Sequence, residues 1–198
     1  MKDYINQCLT VVLAFFATCA KPDEEMEKCA QLRREGVYTE DYARKVNIEQ
    51  NNRILGAKYV AEACLEDFRE QFNKALKAWD APKMTEMQCD DYKLLDAGFP
   101  LTLEEYRALC ERNEANATVL RKAVEYGNQG GRNWAPYAMK YYKPVKERRA
   151  AFDHVLQVAH NMLDYEPECR RDSLETHRAF WAAATSADRA VIGAVNNI

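Results

Sequence analysis

Cys169 and His177 lie near one another in the chain, with Arg170 and Arg171 directly beside the thiol. A cysteine next to cationic side chains gains thiolate character, and a histidine is the usual base for such a nucleophile. No local signature of a known cysteine enzyme surrounds either residue, so a catalytic pair is the weaker expectation. The other histidines, His154 and His160, project about 120° apart if they share a helix, so one face cannot offer both to a metal. His154 is expected in solvent, and His177 at the inner edge of its helix as a hydrogen-bonded structural residue. HExxH does not occur, and neither does a Glu-x-x-His repeat. Those are the spacings that zinc proteases and carboxylate-bridged di-metal bundles require.

The seven cysteines are scattered singly, without a CxxC pair, which removes the usual structural zinc spacing. They read as reduced, mostly buried thiols that pack as small apolar side chains. Glu62, Glu66, Asp67 and Glu70 cluster on one helical segment and read as its wet face, not as an acid/base pair. These residues assemble no catalytic, metal or cofactor site, and a protein that is not an enzyme and uses no cofactor is expected.

One stretch is denser in chemistry. In GGRNWAPYAMKYYKPVKERR, residues 130–149, the bases Arg132, Lys140, Lys143, Lys146, Arg148 and Arg149 stand against a single acid, Glu147. Trp134, Tyr137, Tyr141 and Tyr142 are interleaved with them. Basic side chains beside aromatic platforms suit single-stranded nucleic acid, and the same types also mark protein interfaces. Gly131 is not followed by Gly-Lys-Ser/Thr, and no strand precedes it, so a phosphate loop is excluded. The leading expectation is interhelical packing with a solvated rim, the stems of Arg148 and Arg149 covering the core edge. A protein-binding surface comes second, and a nucleic-acid module over 132–149 third.

The elements that must position these residues are helices. Net charge is −3, with 47% apolar and 30% charged residues, so attraction to nucleic acid or membrane has to be local. Glycine and proline are few, and helix formers dominate. Pro22 followed by Asp23, Glu24 and Glu25 reads as a helix start, with Arg33, Arg34 and Gly36 closing that helix. Thr39 then opens a long helix over 40–80, with a break conceivable at Glu49–Asn52. Ile54, Ala57, Ala61, Cys64, Phe68, Phe72, Ala75 and Trp79 follow one another at spacings of three and four, the pattern of a helix-pairing seam. Within that seam Ile54, Ala61, Phe68, Phe72 and Trp79 carry the bulk of the expected contact.

Capping boxes at Thr85/Gln88 and Thr102/Glu105 start shorter helices. Thr118 is read as the next cap, with Gly127, Gly130 and Gly131 interrupting helix after it. Pro144 begins a helix with Val145, Phe152, Leu156, Ala159 and Leu163 on one stripe. Ser173 caps a last helix whose inward residues are Leu174, Trp181, Ala184, Val191, Ile192 and Val195. The fold class is therefore all-α: an elongated helical bundle with one long, coiled-coil-like helix and several shorter ones. The expected division is 1–82, including the long helix 40–80, and 83–198, with one continuous domain as the alternative.

The apolar run 8–20 follows Lys2 and has the outline of a signal-peptide core, with Cys19 in a lipoprotein-like position. At that length it is too short to span a bilayer. Ile5, Leu9, Val12, Phe16 and Cys19 form a helical stripe, which favours a core helix, no transmembrane segment and a cytoplasmic location. Export or lipid anchoring through residues 1–20 is the alternative. The sequon Asn116-Ala117-Thr118 would matter only in a secreted eukaryotic protein.

Residues 90–126 combine an LLxxG turn, a Thr102-x-Glu104-Glu105-Tyr106 helix start, an Asn113-x-x-Asn116-x-Thr118-Val119 turn and a short helix ending at Tyr126. This segment resembles parts of small helical proteins encoded among the structural genes of tailed phages and prophages of Gram-positive bacteria. The resemblance implies a virion- or assembly-associated protein made in a bacterial cytoplasm, and brings no catalytic or ligand residue. Protein partners or self-association are accordingly expected.

Overall fold

The computed structural model describes residues 3–81, 83–186 and 195. Among these residues there is no strand, and the all-α class holds. Contacts divide the chain into two compact units, one drawn from Met1–Gln71 and Ala151–Asn196 and the other from Phe72–Ala150. The division at residue 82 expected from the sequence differs from this one, because the C-terminal helices return to the first helix.

In the first unit, α1 runs over Tyr4–Arg34 without interruption. The Asp3 carboxylate caps it, accepting the Asn6 amide at 3.1 Å. Pro22 lies inside this helix and does not start a new one. Proline in a helix interior costs about 3 kcal/mol through its missing N–H and its clash with the preceding turn. Burial offsets that cost, since Phe15, Phe16 and Cys19 before the proline and Pro22, Asp23 and Cys29 from it onward are all buried. The expected stripe Ile5, Leu9, Val12, Phe16 and Cys19 is buried throughout.

The apolar run 8–20 is also part of a longer apolar segment than its own length suggested. An 18-residue window of α1 has mean hydropathy 1.3, enough by length and composition to cross a membrane, and 44% of that window is buried in the fold. Gly36, at φ +76°, ends α1, with the Gly36 amide donating to the Arg33 carbonyl and the Val37 amide to the Leu32 carbonyl. That is the paired-bond stop which a left-handed glycine permits.

Helix α2, Glu40–Asp80, begins where the Thr39 hydroxyl accepts the Tyr42 amide. Within the first unit it packs with α1 through an Arg33–Glu40 ion pair at 2.9 Å and the Cys29 sulfur against the Ala43 carbonyl. No break occurs at Glu49–Asn52, and Gln50 is buried there. The buried positions of α2 are Ala43, Gln50, Ala61, Leu65, Phe72 and Leu76, flanked by half-buried Ile54, Phe68 and Trp79. The seam thus shifts by one position from the expected register at two points. Cys64 is exposed, and Leu65 and Leu76 take the inner places. Those inner residues are covered by the chain itself.

Helix α7, Val145–Met162, contributes Phe152, Val155, Leu156, Ala159 and Met162 to the buried set, and Tyr4 meets Phe152 edge-on at 5.7 Å. The short α8, Pro167–Arg170, and α9, Ser173–Ala184, complete the first unit. Asp172 caps α9 where Ser173 was expected, because its carboxylate accepts both the Leu174 and Glu175 amides at 2.9 Å. The inner face of α9 is Thr176, Phe180 and Ala184, leaving Leu174 59% exposed. Of the other expected inward residues, Trp181 is half-buried and Val195 buried, while Val191 and Ile192 lie outside the described residues.

The second unit is built from α3, Glu86–Asp96, α4, Leu103–Arg112, α5, Ala117–Asn128, and α6, Ala135–Met139. Both capping boxes form as the sequence implies. The cap of α5 is Asn116, not Thr118, with its side chain accepting the Val119 amide at 3.0 Å. Leu95, Tyr106, Leu109, Val119, Leu120 and Tyr126 centre its core.

Candidate interaction surface

Inside the second unit the 132–149 corner is assembled by a close approach of α5 and α6. Gly127 lies within α5 rather than ending it, and a Cβ there would sit 2.6 Å from the Ala135 nitrogen and 2.7 Å from the Tyr106 hydroxyl. The Trp134 amide donates to the Gly127 carbonyl at 3.0 Å, which fixes the turn into α6. Gly130, Gly131 and Asn133 supply the positive φ values of that turn. Trp134 is then held 5.6 Å from the Tyr106 ring, and Arg132 lies 4.3 Å over Tyr126.

The rings of the corner are therefore engaged within the unit. Tyr142 is buried and stacks on Trp79 at 5.8 Å, and Tyr141 packs against the same core. Tyr137 accepts a hydrogen bond from Arg107, whose guanidinium also lies 4.1 Å from its ring. Lys140 is over Tyr141 at 5.2 Å.

Arg148 departs most from expectation. It is 2% exposed, lies 3.8 Å over the Trp79 ring, and donates from Nε to the Lys143 carbonyl at 3.1 Å. Burial pulls its pKa down to about 10, still protonated at neutral pH. This cation is part of the core and cannot reach a partner, and the contact with indole is the kind that holds a desolvated guanidinium. Lys140, Lys146 and Arg149 remain exposed, with Arg132 and Lys143 half-buried.

The second unit also holds a buried carboxylate that the sequence did not mark. Asp91 accepts hydrogen bonds from Nε and Nη2 of Arg112 and from Asn113 Nδ2, the first at 2.9 Å and the last at 2.7 Å. Burial alone would raise its pKa, but these donors outweigh burial and hold the carboxyl below its usual range. Asn116, the acceptor of the sequon, is 2% exposed and occupied as a helix cap, so its side chain is not presented to solvent.

In the first unit, Cys169 and His177 are both exposed, which corrects the expected inner position of His177. The bases meant to activate the thiol are occupied by acids of α1. Arg170 pairs with Asp23 and Arg171 with Glu27, both at 2.8 Å. His154 is half-buried rather than fully solvated, with Nε2 2.9 Å from the Ala183 carbonyl at the end of α9. Four of the cysteines, Cys8, Cys19, Cys29 and Cys110, are buried. Burial raises Cys8 to about 12 and Cys110 to about 11, so neither carries thiolate at neutral pH. Among the described residues no group of three or more His, Cys, Asp or Glu is placed to hold a metal.

A cleft of about 590 Å³ lies along α1, floored by Leu13, Phe16, Ala17 and Ala20 and walled by the Asp23–Arg170 pair. Burial raises the Asp23 pKa in spite of Arg170. With Glu24 and Glu27 also in the wall, acids outnumber bases there and the cleft does not favour an anion.

The outer face of α2 also leaves large apolar side chains exposed. Ile48, Leu55 and Tyr59 are 52%, 46% and 62% exposed and fall on one stripe, turned away from the buried seam. Gly56 beside them has nothing within 4 Å of where a Cβ would be. Spacings of seven and four are legible in sequence, but the buried seam of the same helix dominates the pattern.

Comparison of the chain with models of protein families, with curated proteins and with solved structures finds no match.

Proposed function

We propose that this chain is a non-catalytic helical interaction protein that works by presenting the outer face of α2. The observation that carries the reading is the stripe Ile48, Leu55 and Tyr59, large apolar side chains left in water on a helix whose other face is already buried. A virion or assembly role in a phage or prophage, suggested by residues 90–126, belongs to the same proposal, as does a cytoplasmic site of synthesis. Neighbouring capsid, portal or tail genes support that setting, and their absence from the locus removes it.

The experiment is in-cell crosslinking of the full chain followed by mass spectrometry, beside the variant I48E/L55E/Y59E. The wild type is expected to give protein–protein crosslinks mapping to α2, and the variant to lose them while keeping its helical circular dichroism. A chain that crosslinks to nothing, or a variant that crosslinks as well as wild type, overturns the reading. The nucleic-acid alternative at 132–149 has less support, since Trp134, Tyr141 and Tyr142 are packed against their own unit rather than offered to bases. Export has one observation in its favour, the apolar window of α1 near the N-terminus, set against the burial of its stripe.

A further inference from the structure

Between α7 and α9 of the first unit the chain crosses α1 without burying a whole residue. Leu163 and Thr176 are buried, whereas none of residues 164–175 between them is. The middle of the crossing is α8, four residues long with no side-chain cap. Tyr165 meets the Phe16 ring at 6.3 Å, and the Arg170 guanidinium lies 5.9 Å from the Phe15 ring. The other ties are ion pairs: Asp164 with Lys58 of α2, and Arg170 with Asp23 and Arg171 with Glu27 of α1. Contacts on both sides of Cys19, at Phe16 and at Asp23, place the crossing over the turn of α1 that carries this buried thiol.

That seat is poorly filled. Cavities of about 590, 470 and 390 Å³ adjoin the crossing, and Pro167, Arg170 and Arg171 each line two of them. Space on those sides removes the close contacts through which packed side chains hold one another. Arg170 Nε is buried with no hydrogen-bond partner among the described residues, although Nη2 holds Asp23 at 2.8 Å. Burial raises the Asp23 pKa against the pull of both arginines, so the pairing does not offset its desolvation. Segments with so little buried apolar surface open at a lower free energy than the whole fold. From the missing packing, the orphaned guanidinium N–H and the dependence on ion pairs, we infer that residues 164–171 form a strap that lifts off α1 while α7 and α9 stay in place. Its hinges are Leu163, which is buried, and Asp172, which is bonded to the Leu174 and Glu175 amides. Opening uncovers Cys19 and joins the three cavities into one groove along α1, running from Leu13 to Ala30. The strap gates this groove independently of what the outer face of α2 binds.

Thiol labelling of the full-length chain measures the opening. Cys64, Cys89 and Cys169, which are exposed or half-buried, are replaced by serine so that only buried thiols remain. N-ethylmaleimide incorporation at each cysteine is read by mass spectrometry across low urea concentrations. A local opening exposes little surface and depends weakly on urea, whereas global unfolding depends on it steeply. Cys19 is expected to show the weak dependence, and Cys8, buried on the same helix before Phe16, the steep one. E27K opposes Arg171 with a like charge, and K58E does the same to Asp164. Each is expected to speed Cys19 labelling about two- to fivefold, the range for losing an exposed ion pair, and to leave Cys8 unchanged. Hydrogen exchange of the α1 amides around Cys19 should stay slow, because the helix keeps its own bonds when the strap lifts. Equal urea dependence of Cys19 and Cys8 overturns the inference, as does failure of either variant to speed Cys19 selectively. Loss of amide protection around Cys19 in step with labelling overturns it too, since α1 itself would then be opening.

Discussion

The 132–149 corner and the outer face of α2 reverse the ranking their sequences suggest. The corner has the densest run of aromatic and basic residues, yet it turns Trp134, Tyr141, Tyr142 and Arg148 into its own unit. The α2 face is thinly populated, and its three large apolar residues stay in water. Composition along a segment measures how much contact it is able to make, and the fold decides with whom. Glycine at position 127 lets two backbones meet, and that meeting draws the rings inward. No such approach covers Ile48, Leu55 and Tyr59.

The largest test of that comparison removes the ring on which the corner is assembled. Tyr106 is fully buried, packs beside Trp134 and Tyr126, and donates its hydroxyl to the Ala123 carbonyl at 2.9 Å. Tyr106→Ala is expected to cost about 3–5 kcal/mol, the range for emptying a buried aromatic site. Urea unfolding read by tryptophan fluorescence measures it. A loss under about 1 kcal/mol would mean the corner does not depend on this packing. Gly127→Ala follows, at about 1–3 kcal/mol, since backbone and a buried hydroxyl must move to admit the methyl group. The same substitution at the open Gly56 of α2 should stabilise the helix by up to about 1 kcal/mol.

Much of the local structure was legible because it depends on neighbours in sequence. Thr85/Gln88 and Thr102/Glu105 cap their helices, Gly36 stops the first helix, and α2 spans the expected residues. What was not legible depends on distant partners. Asp23 read as an acid near a helix start, but it lies mid-helix and buried against Arg170. Arg148 read as a rim cation because nothing near it in sequence announces the indole of Trp79. Pro22 read as a beginning because its local cost is plain and the burial that offsets it is not. The stripe on α2 was overlooked for a different reason, since a seam and an exposed face share one helical period.

A second contrast separates the units by their buried carboxylates. Asp91 accepts from Arg112 twice and from Asn113, whereas Asp23 has a hydrogen bond from Arg170. Arg112→Ala is expected to cost about 1–3 kcal/mol, the penalty for leaving a buried acceptor short of donors. Acid titration should separate the two groups by sign. Asp91 has a folded pKa below its unfolded value of about 4, so its stabilisation is present above that pH and is lost as pH falls through the folded value. Asp23 has a folded pKa above its unfolded value, so the fold gains stability as pH falls through the raised value toward about 4. Asp91→Asn should therefore flatten the loss at the acid end, and Asp23→Asn should remove the gain just above it. Urea midpoints followed from neutral pH downward read both, and identical profiles for the two variants would refute the assignment.

The smallest expected effect is the sharpest test of the comparison. K140E/K146E/R149E reverses the exposed charge of the corner while leaving its rings and Arg148 in place. Exposed substitutions away from packed features change stability by about 0.5 kcal/mol or less, so the unfolding midpoint should scarcely move. Crosslinking in cells should also match wild type, because these lysines and Arg149 take no part in the α2 stripe. If reversal at the corner removed the crosslinks in cells while I48E/L55E/Y59E did not, the interaction surface would belong to the basic corner. Unchanged crosslinks in the corner variant, beside lost ones in the α2 variant, would assign it to the sparse face. The difference between the two regions would then follow from what each buries, not from how many charges each carries.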